Sequence, residues 1–152
     1  MRFGDAIPSA EKLKYVRQSL VPGRILHLHC NFTHPPKNKF VVLVSVKSSL
    51  RVFVINSGIT EWLQARPDLR DRQITIRQQD HNYLRHDSFL NCTETIQQIS
   101  IKEMEDQLIQ DLCNIKDMVT AQEREAIRFA ITGCRTLSKR DIDAILGELP
   151  PG

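Results

Sequence analysis

Residues 39–46 read KFVVLVSV, with five apolar side chains in succession, three of them valine. Successive side chains of a strand point to opposite faces, so a half-exposed strand alternates apolar with polar residues. This run does not alternate, and its β-branched content favours a strand over a helix. It is predicted to be a buried central strand, and the fold must supply partners for it. The loop that enters it is unlike its surroundings. HPPKN, residues 34–38, is stiffened by Pro35 and Pro36, and it brings His34 and Lys37 close to Lys39.

Other strands are predicted on both sides of the run. In RILHLHC, residues 24–30, Ile25, His27 and His29 share one face, while Leu26, Leu28 and Cys30 share the other. LRVFVINS follows the polar Lys47-Ser48-Ser49, which predicts a hairpin. RQITIRQQ alternates around Ile74 and Ile76, and SFLNCTETIQQI supplies a last extended stretch. About five short strands are therefore expected between residues 22 and 100, with Gly58 to Arg72 inserted among them. Such spacing, without long intervening helices, points to a small antiparallel barrel.

The flanks are predicted to be helical. PSAEKLKYVRQSL, residues 8–20, has Ser9 as its expected N-cap, with Leu13, Val16 and Leu20 at helical spacing. Ile101, Met104, Leu108, Leu112, Ile115 and Val119 step along one helical face. Thr120-Ala-Gln-Glu123 reads as a capping box for a second helix running to Gly133, and Ser138-Lys-Arg-Asp141 opens a third before Pro150. The expected organisation is one domain: a helical extension over 1–20, a barrel with its first C-terminal helix over 21–116, and further helices over 117–152 packed on it.

Charge is unevenly distributed. Residues 1–60 carry nine Lys/Arg against Asp5 and Glu11, a balance of +7, while residues 101–152 balance at −3. A positive field over the strands suits a polyanion, RNA or DNA, or an acidic protein segment; the plainer reading is a solvated lysine-rich surface. No run of about 18 apolar residues exists, and MRFGDAIPSAEKLKYV lacks the apolar core of a signal peptide, so a cytoplasmic protein with no membrane segment is expected. Cys30, Cys92, Cys113 and Cys134 form no CxxC pair and read as reduced, mostly buried thiols.

Candidate chemistry is concentrated in three places. His27 and His29 share a strand face beside Cys30, but no third ligand follows at a recognisable spacing, so neither a metal nor a cofactor is expected. His81 and His86 flank HNYLRHDS, where a histidine near Asp87 suits acid–base work; the competing reading is a polar turn capped by Asp87. Lys37, Lys39 and His34 form a stiff cationic loop that binds phosphate at low entropic cost, with Arg24 and Arg51 expected to extend the patch. Phe32, Phe40 and Trp62 lie near it in sequence and suit base stacking.

The order of features carries a resemblance. A turn at Pro22-Gly23 opens the first strand, a basic loop runs into KFVVLVS, VFVINS ends in a hydroxyl residue, and DSFLNCTETIQQIS precedes an amphipathic helix. Over about residues 21–115 this order resembles the PemK/MazF-like toxins of bacterial toxin-antitoxin systems. The resemblance implies an SH3-like barrel, a homodimer, metal-independent cleavage of single-stranded RNA, and a small acidic antitoxin that blocks the RNA groove. The family's catalytic arginine falls on Lys39, with Phe40 in place of the following proline, and its catalytic hydroxyl falls on Ser57. Lys39 would then stabilise the phosphate, helped by Ser57 and by His34 or His86. Lysine offers a point charge where arginine offers a bidentate fork. A non-catalytic barrel that binds nucleic acid or an acidic protein therefore stands as the alternative.

Overall fold

The computed structural model describes residues 8–152. Residues 1–7 of the expected N-terminal extension, which also begin the segment read against a signal peptide, lie outside the described residues. The elements run α1 (Ser9–Ser19), β1 (Arg24–Cys30), β2 (Lys37–Ser45), β3 (Arg51–Asn56), α2 (Glu61–Gln64), α3 (Pro67–Arg70), β4 (Gln73–Ile76) and β5 (Ser88–Asn91). They continue with α4 (Ile101–Gln110), a 3₁₀ turn at Leu112–Asn114, β6 (Ile115–Met118), α5 (Ala121–Ile131) and α6 (Lys139–Glu148).

The strands form one antiparallel sheet in the order β4-β5-β3-β2-β1-β6. The predicted central strand, β2, pairs with β1 on one side and β3 on the other. Its lack of alternation has a direct cause: both faces of the sheet are covered. Val42 and Val44 join Ile25, Phe53 and Ile55 in a core with Ile127 and Ile131 of α5 and Ile145 of α6. Val41 and Leu43 join Leu26, Leu28 and Val52 in a second core with Val16 of α1 and Met104 and Leu108 of α4. Ile76 of one edge strand and Val119, just beyond the other, both reach the first core, so the sheet curls into a half-barrel. The fold is mixed α/β, with helices on both faces and not only after the strands.

Several expectations are met in detail. The Thr120 side chain accepts from Glu123 N while the Glu123 carboxylate accepts from Thr120 N, closing the capping box of α5. Ser138 caps α6 through Asp141 N. Cys30, Cys92 and Cys134 are buried free thiols, and Cys113 is exposed. Gly23, at φ +98°, turns the chain between α1 and β1; its N–H donates to Leu43 O and its carbonyl accepts from Val119 N. A Cβ at Gly23 would meet the Met118 side chain at 3.0 Å.

Three expectations are corrected. Ser9 lies inside α1, whose N-cap is Pro8 with no side-chain bond. SFLNCTETIQQI forms a strand only over Ser88–Asn91, with Ile96 making an isolated bridge to Val52. The long helix expected to run past Leu112 ends at Asp111, which is extended at φ −150° and accepts from Cys113 N; Ile115–Met118 then becomes β6 beside β1. Those four residues, Ile-Lys-Asp-Met, carry no alternation of their own, and pairing with the open edge of β1 makes them a strand.

Candidate functional site

The entry of β2 projects Lys37 and Asn38 into solvent and leaves Lys39 half-buried, opposite Leu28 of β1. The Lys39 amine donates to Asn56 Oδ1 at 2.9 Å, where β3 ends. Burial lowers its pKa and the neighbouring Lys37 charge lowers it further, with Cys30 opposing them. Lys39 and Asn56 thereby form a fixed pair at the rim of the sheet. From there a cleft of about 430 Å³ extends across the strand ends. Its walls bring together Lys39, Ser57 and His86 with His27 and Phe40, all singled out in sequence, and add Tyr83 and Arg85.

His86 is exposed, and its Nδ1 lies 2.7 Å from the Asp87 carbonyl oxygen. A carbonyl only accepts, so Nδ1 carries the proton and Nε2 keeps its lone pair or a second proton for the cleft. Asp87 itself accepts from Gln78 N at 2.9 Å, which is the turn-capping role weighed against acid–base work. On the far wall the His27 ring stacks on Phe40 at 4.4 Å, and Phe40 meets Tyr83 at 5.1 Å. Burial pulls the His27 pKa down; a hydrogen bond with Asn114 opposes this, and the Lys116 charge reinforces it. His27 is therefore held toward the neutral imidazole.

Behind Tyr83 lies a charged network that the sequence did not reveal. The Tyr83 hydroxyl donates to Asp117 Oδ1 at 2.7 Å. His81, 1% exposed, sits between Asp117 Oδ2 at 2.9 Å and Glu123 Oε1 at 2.8 Å. Burial opposes its charge, but the two carboxylates outweigh burial and raise its pKa, so both ring nitrogens act as donors. Burial and the Asp117 carboxylate likewise push the Tyr83 phenol up, which keeps it protonated. His81 is thus directed to Asp117 and Glu123, not to the nearby Asp87.

Arg24 and Arg51 do not join the cleft. Arg51 pairs across from Ser45, at the opposite end of β2 from Lys39, which puts about 20 Å of strand between them. It is 4% exposed and donates to Asp141 Oδ1 of α6 at 2.7 Å and to Ser45 Oγ at 3.2 Å. Arg24, beside that same end, donates to the Ser19 and Lys116 carbonyls. Both arginines hold helices or edge strands to the sheet. His29 shares a depression with His27, and its Nδ1 lies 3.0 Å from Asn38 Oδ1. Among the described residues no group of three or more His, Cys, Asp and Glu side chains is arranged to hold a metal ion.

The cleft continues past Lys39 and Asn56, which also line two neighbouring depressions. One, of about 310 Å³, takes in Phe32, His34, Lys37 and Glu94. The other, of about 440 Å³, takes in Ser57, Trp62, Asn91 and Glu94. The result is a groove along the rim of the sheet, polar on its floor and cationic at its centre. Tyr83 and Arg85 both fall in HNYLRHDS, where the sequence signal comes from the histidines and Asp87. No helix among the described residues is long and apolar enough to cross a membrane. In comparisons with protein-family models, curated proteins and solved structures, nothing matches this chain.

Proposed function

We propose that the groove binds single-stranded RNA and that the Lys39 cleft cuts it without a metal, in a cytoplasmic, divergent relative of the PemK/MazF-like toxins with an SH3-like half-barrel. The observation that carries this reading is the convergence of Lys39, Ser57, Arg85, His86 and His27 on one cleft from four separate segments of the chain. Cleavage of this kind forms a bond between the 2′-oxygen and phosphorus and breaks the bond from phosphorus to the 5′-oxygen. The first oxygen must lose a proton and the second must gain one. His27, held toward its neutral form, suits the first task. His86, with Nε2 free for the cleft, suits the second. Lys39 and Arg85 oppose the charge that builds on the phosphoryl oxygens, and Ser57 donates to one of them. On this reading a small acidic antitoxin would compete for the same cationic groove, and a homodimer is the expected assembly.

The test is a long unstructured RNA incubated with the protein in EDTA. Cutting to 2′,3′-cyclic phosphate and 5′-hydroxyl ends is expected, and it should be lost in both Lys39→Ala and Ser57→Ala. Unchanged cutting in the two variants would overturn the residue assignment. RNA that is bound yet intact would favour the non-catalytic barrel, a reading supported by Lys39 already being bonded to Asn56 rather than free.

A further inference from the structure

The depression on the far side of Lys39 and Asn56 contains a combination that phosphate binding does not explain. Glu94 is exposed there and has no hydrogen-bond or ion-pair partner among the described residues. A carboxylate beside a strand of phosphates is repelled unless it faces hydrogen-bond donors. In RNA the donors lie on the ribose 2′-hydroxyls and the base edges, and only a base edge sets two of them side by side before one carboxylate. Trp62 borders the same depression and is 56% exposed. The Arg66 guanidinium lies over one face of its ring at 3.9 Å and donates to the Trp62 carbonyl, which stiffens the indole and leaves its other face to solvent. Asn91 completes the set. Its Oδ1 already accepts from Thr93 N, Thr93 Oγ1 and Gln73 Nε2, so its Nδ2 is the atom left to contact a ligand.

We infer that this depression is a guanine-selective base subsite, a deepening that rests on the reading of the groove as an RNA site. The bases differ in the sequence of donors and acceptors along their edges. Guanine presents an acceptor, O6, beside two donors, N1–H and N2–H. A carboxylate accepts both donors at once, and an amide N–H₂ supplies the partner for O6. Glu94 and Asn91 offer that complement, and the open indole face provides the stacking surface. Adenine and cytosine present an acceptor at the ring nitrogen where guanine presents N1–H, and would set a lone pair against the Glu94 carboxylate. Uracil offers a single N–H. The volume of about 440 Å³ accommodates a base with its ribose. The subsite adjoins Lys39, so the recognised base would sit next to the phosphate held there.

The chain has one tryptophan, so its fluorescence reports the subsite directly. Pentanucleotides UUGUU, UUAUU, UUCUU and UUUUU with 2′-fluoro riboses, which the proposed cleavage cannot cut, are titrated into the full chain. UUGUU is expected to quench the fluorescence and to bind about tenfold or more tighter than the others. An inosine version, lacking N2–H, should lose part of that advantage, and Glu94→Ala should bind all the pentamers alike while keeping the wild-type melting temperature. Equal affinity for all four bases, or a guanine preference that survives Glu94→Ala, would overturn the subsite. The outcomes separate from the nuclease reading: guanine preference with a long RNA left intact keeps the subsite and removes the catalysis, and cutting without base preference does the reverse.

Discussion

Lys39 meets the cleft through one amine that is already partnered by Asn56 and destabilised as a cation by burial and by Lys37. A guanidinium at this position would keep a donor for Asn56 and still direct a fork at a phosphate, and its charge would not depend on pH. Lys39→Arg is therefore expected to raise the rate of RNA cutting, whereas Lys39→Met should lower it by about 100-fold or more, as measured by single-turnover cleavage in EDTA. At this scale the sequence was legible where a residue's own segment fixed its place. Lys37 and Lys39 sit on the rim because the strand begins there. Arg51 was not legible, because its fate depends on Asp141, 90 residues away, and a buried ion pair leaves no local mark in sequence. Asn56 escaped for the opposite reason: an asparagine at a strand end looks like an ordinary turn residue until its partner is known.

Helix α6 shows how an element at the end of the chain is bound to its centre. Glu148 in its last turn accepts from Val46 N at 2.8 Å, Lys47 N at 2.8 Å, Ser48 N at 3.1 Å and Ser48 Oγ at 2.6 Å. Burial works against the charged carboxyl, but these four donors prevail and hold its pKa down to about 2. The group is ionised more readily in the folded chain than in the unfolded one, so its contribution is complete above the ordinary value of 4.5 and drains away as pH falls toward about 2. Glu148→Ala should cost about 2 kcal/mol in urea unfolding near neutral pH, and the difference from wild type should shrink in acid. The helix itself was readable from Ser138, Asp141 and its apolar stripe, and so was the hairpin it clamps. Their meeting was not, since Glu148 marks nothing in sequence but a charged last turn. The misplacement of β6 has the same origin: Ile115 and Val119 fit the helical period, and only pairing with the open edge of β1 makes a strand of Ile115–Met118.

For the molecule as a whole, His81 joins three regions: its own loop before β5, Asp117 on β6 and Glu123 on α5. Its pKa is raised on folding, so the stability it provides is full below the ordinary value of 6.5 and is lost as pH rises through the higher folded value. The resistance of the wild type to urea should fall as pH rises above 6.5. His81→Gln should be less stable by about 3 kcal/mol at the acid end and should show a flatter slope, because two carboxylates then lack their cation throughout. Asp141 and Glu148 of α6 meet one end of the β2–β3 hairpin, and Lys37 and Lys39 lie at the other end of β2. Gln107 of α4 adds a constraint of another kind. Beyond its pairing with β6, strand β1 would offer a bare main chain at His29, but the Gln107 amide accepts from His29 N at 2.8 Å and donates to His29 O at 3.1 Å. One side chain thus imitates the neighbouring strand. An incoming peptide or a second copy finds no vacancy for edge-to-edge growth there, so no companion of this chain lengthens the sheet at His29.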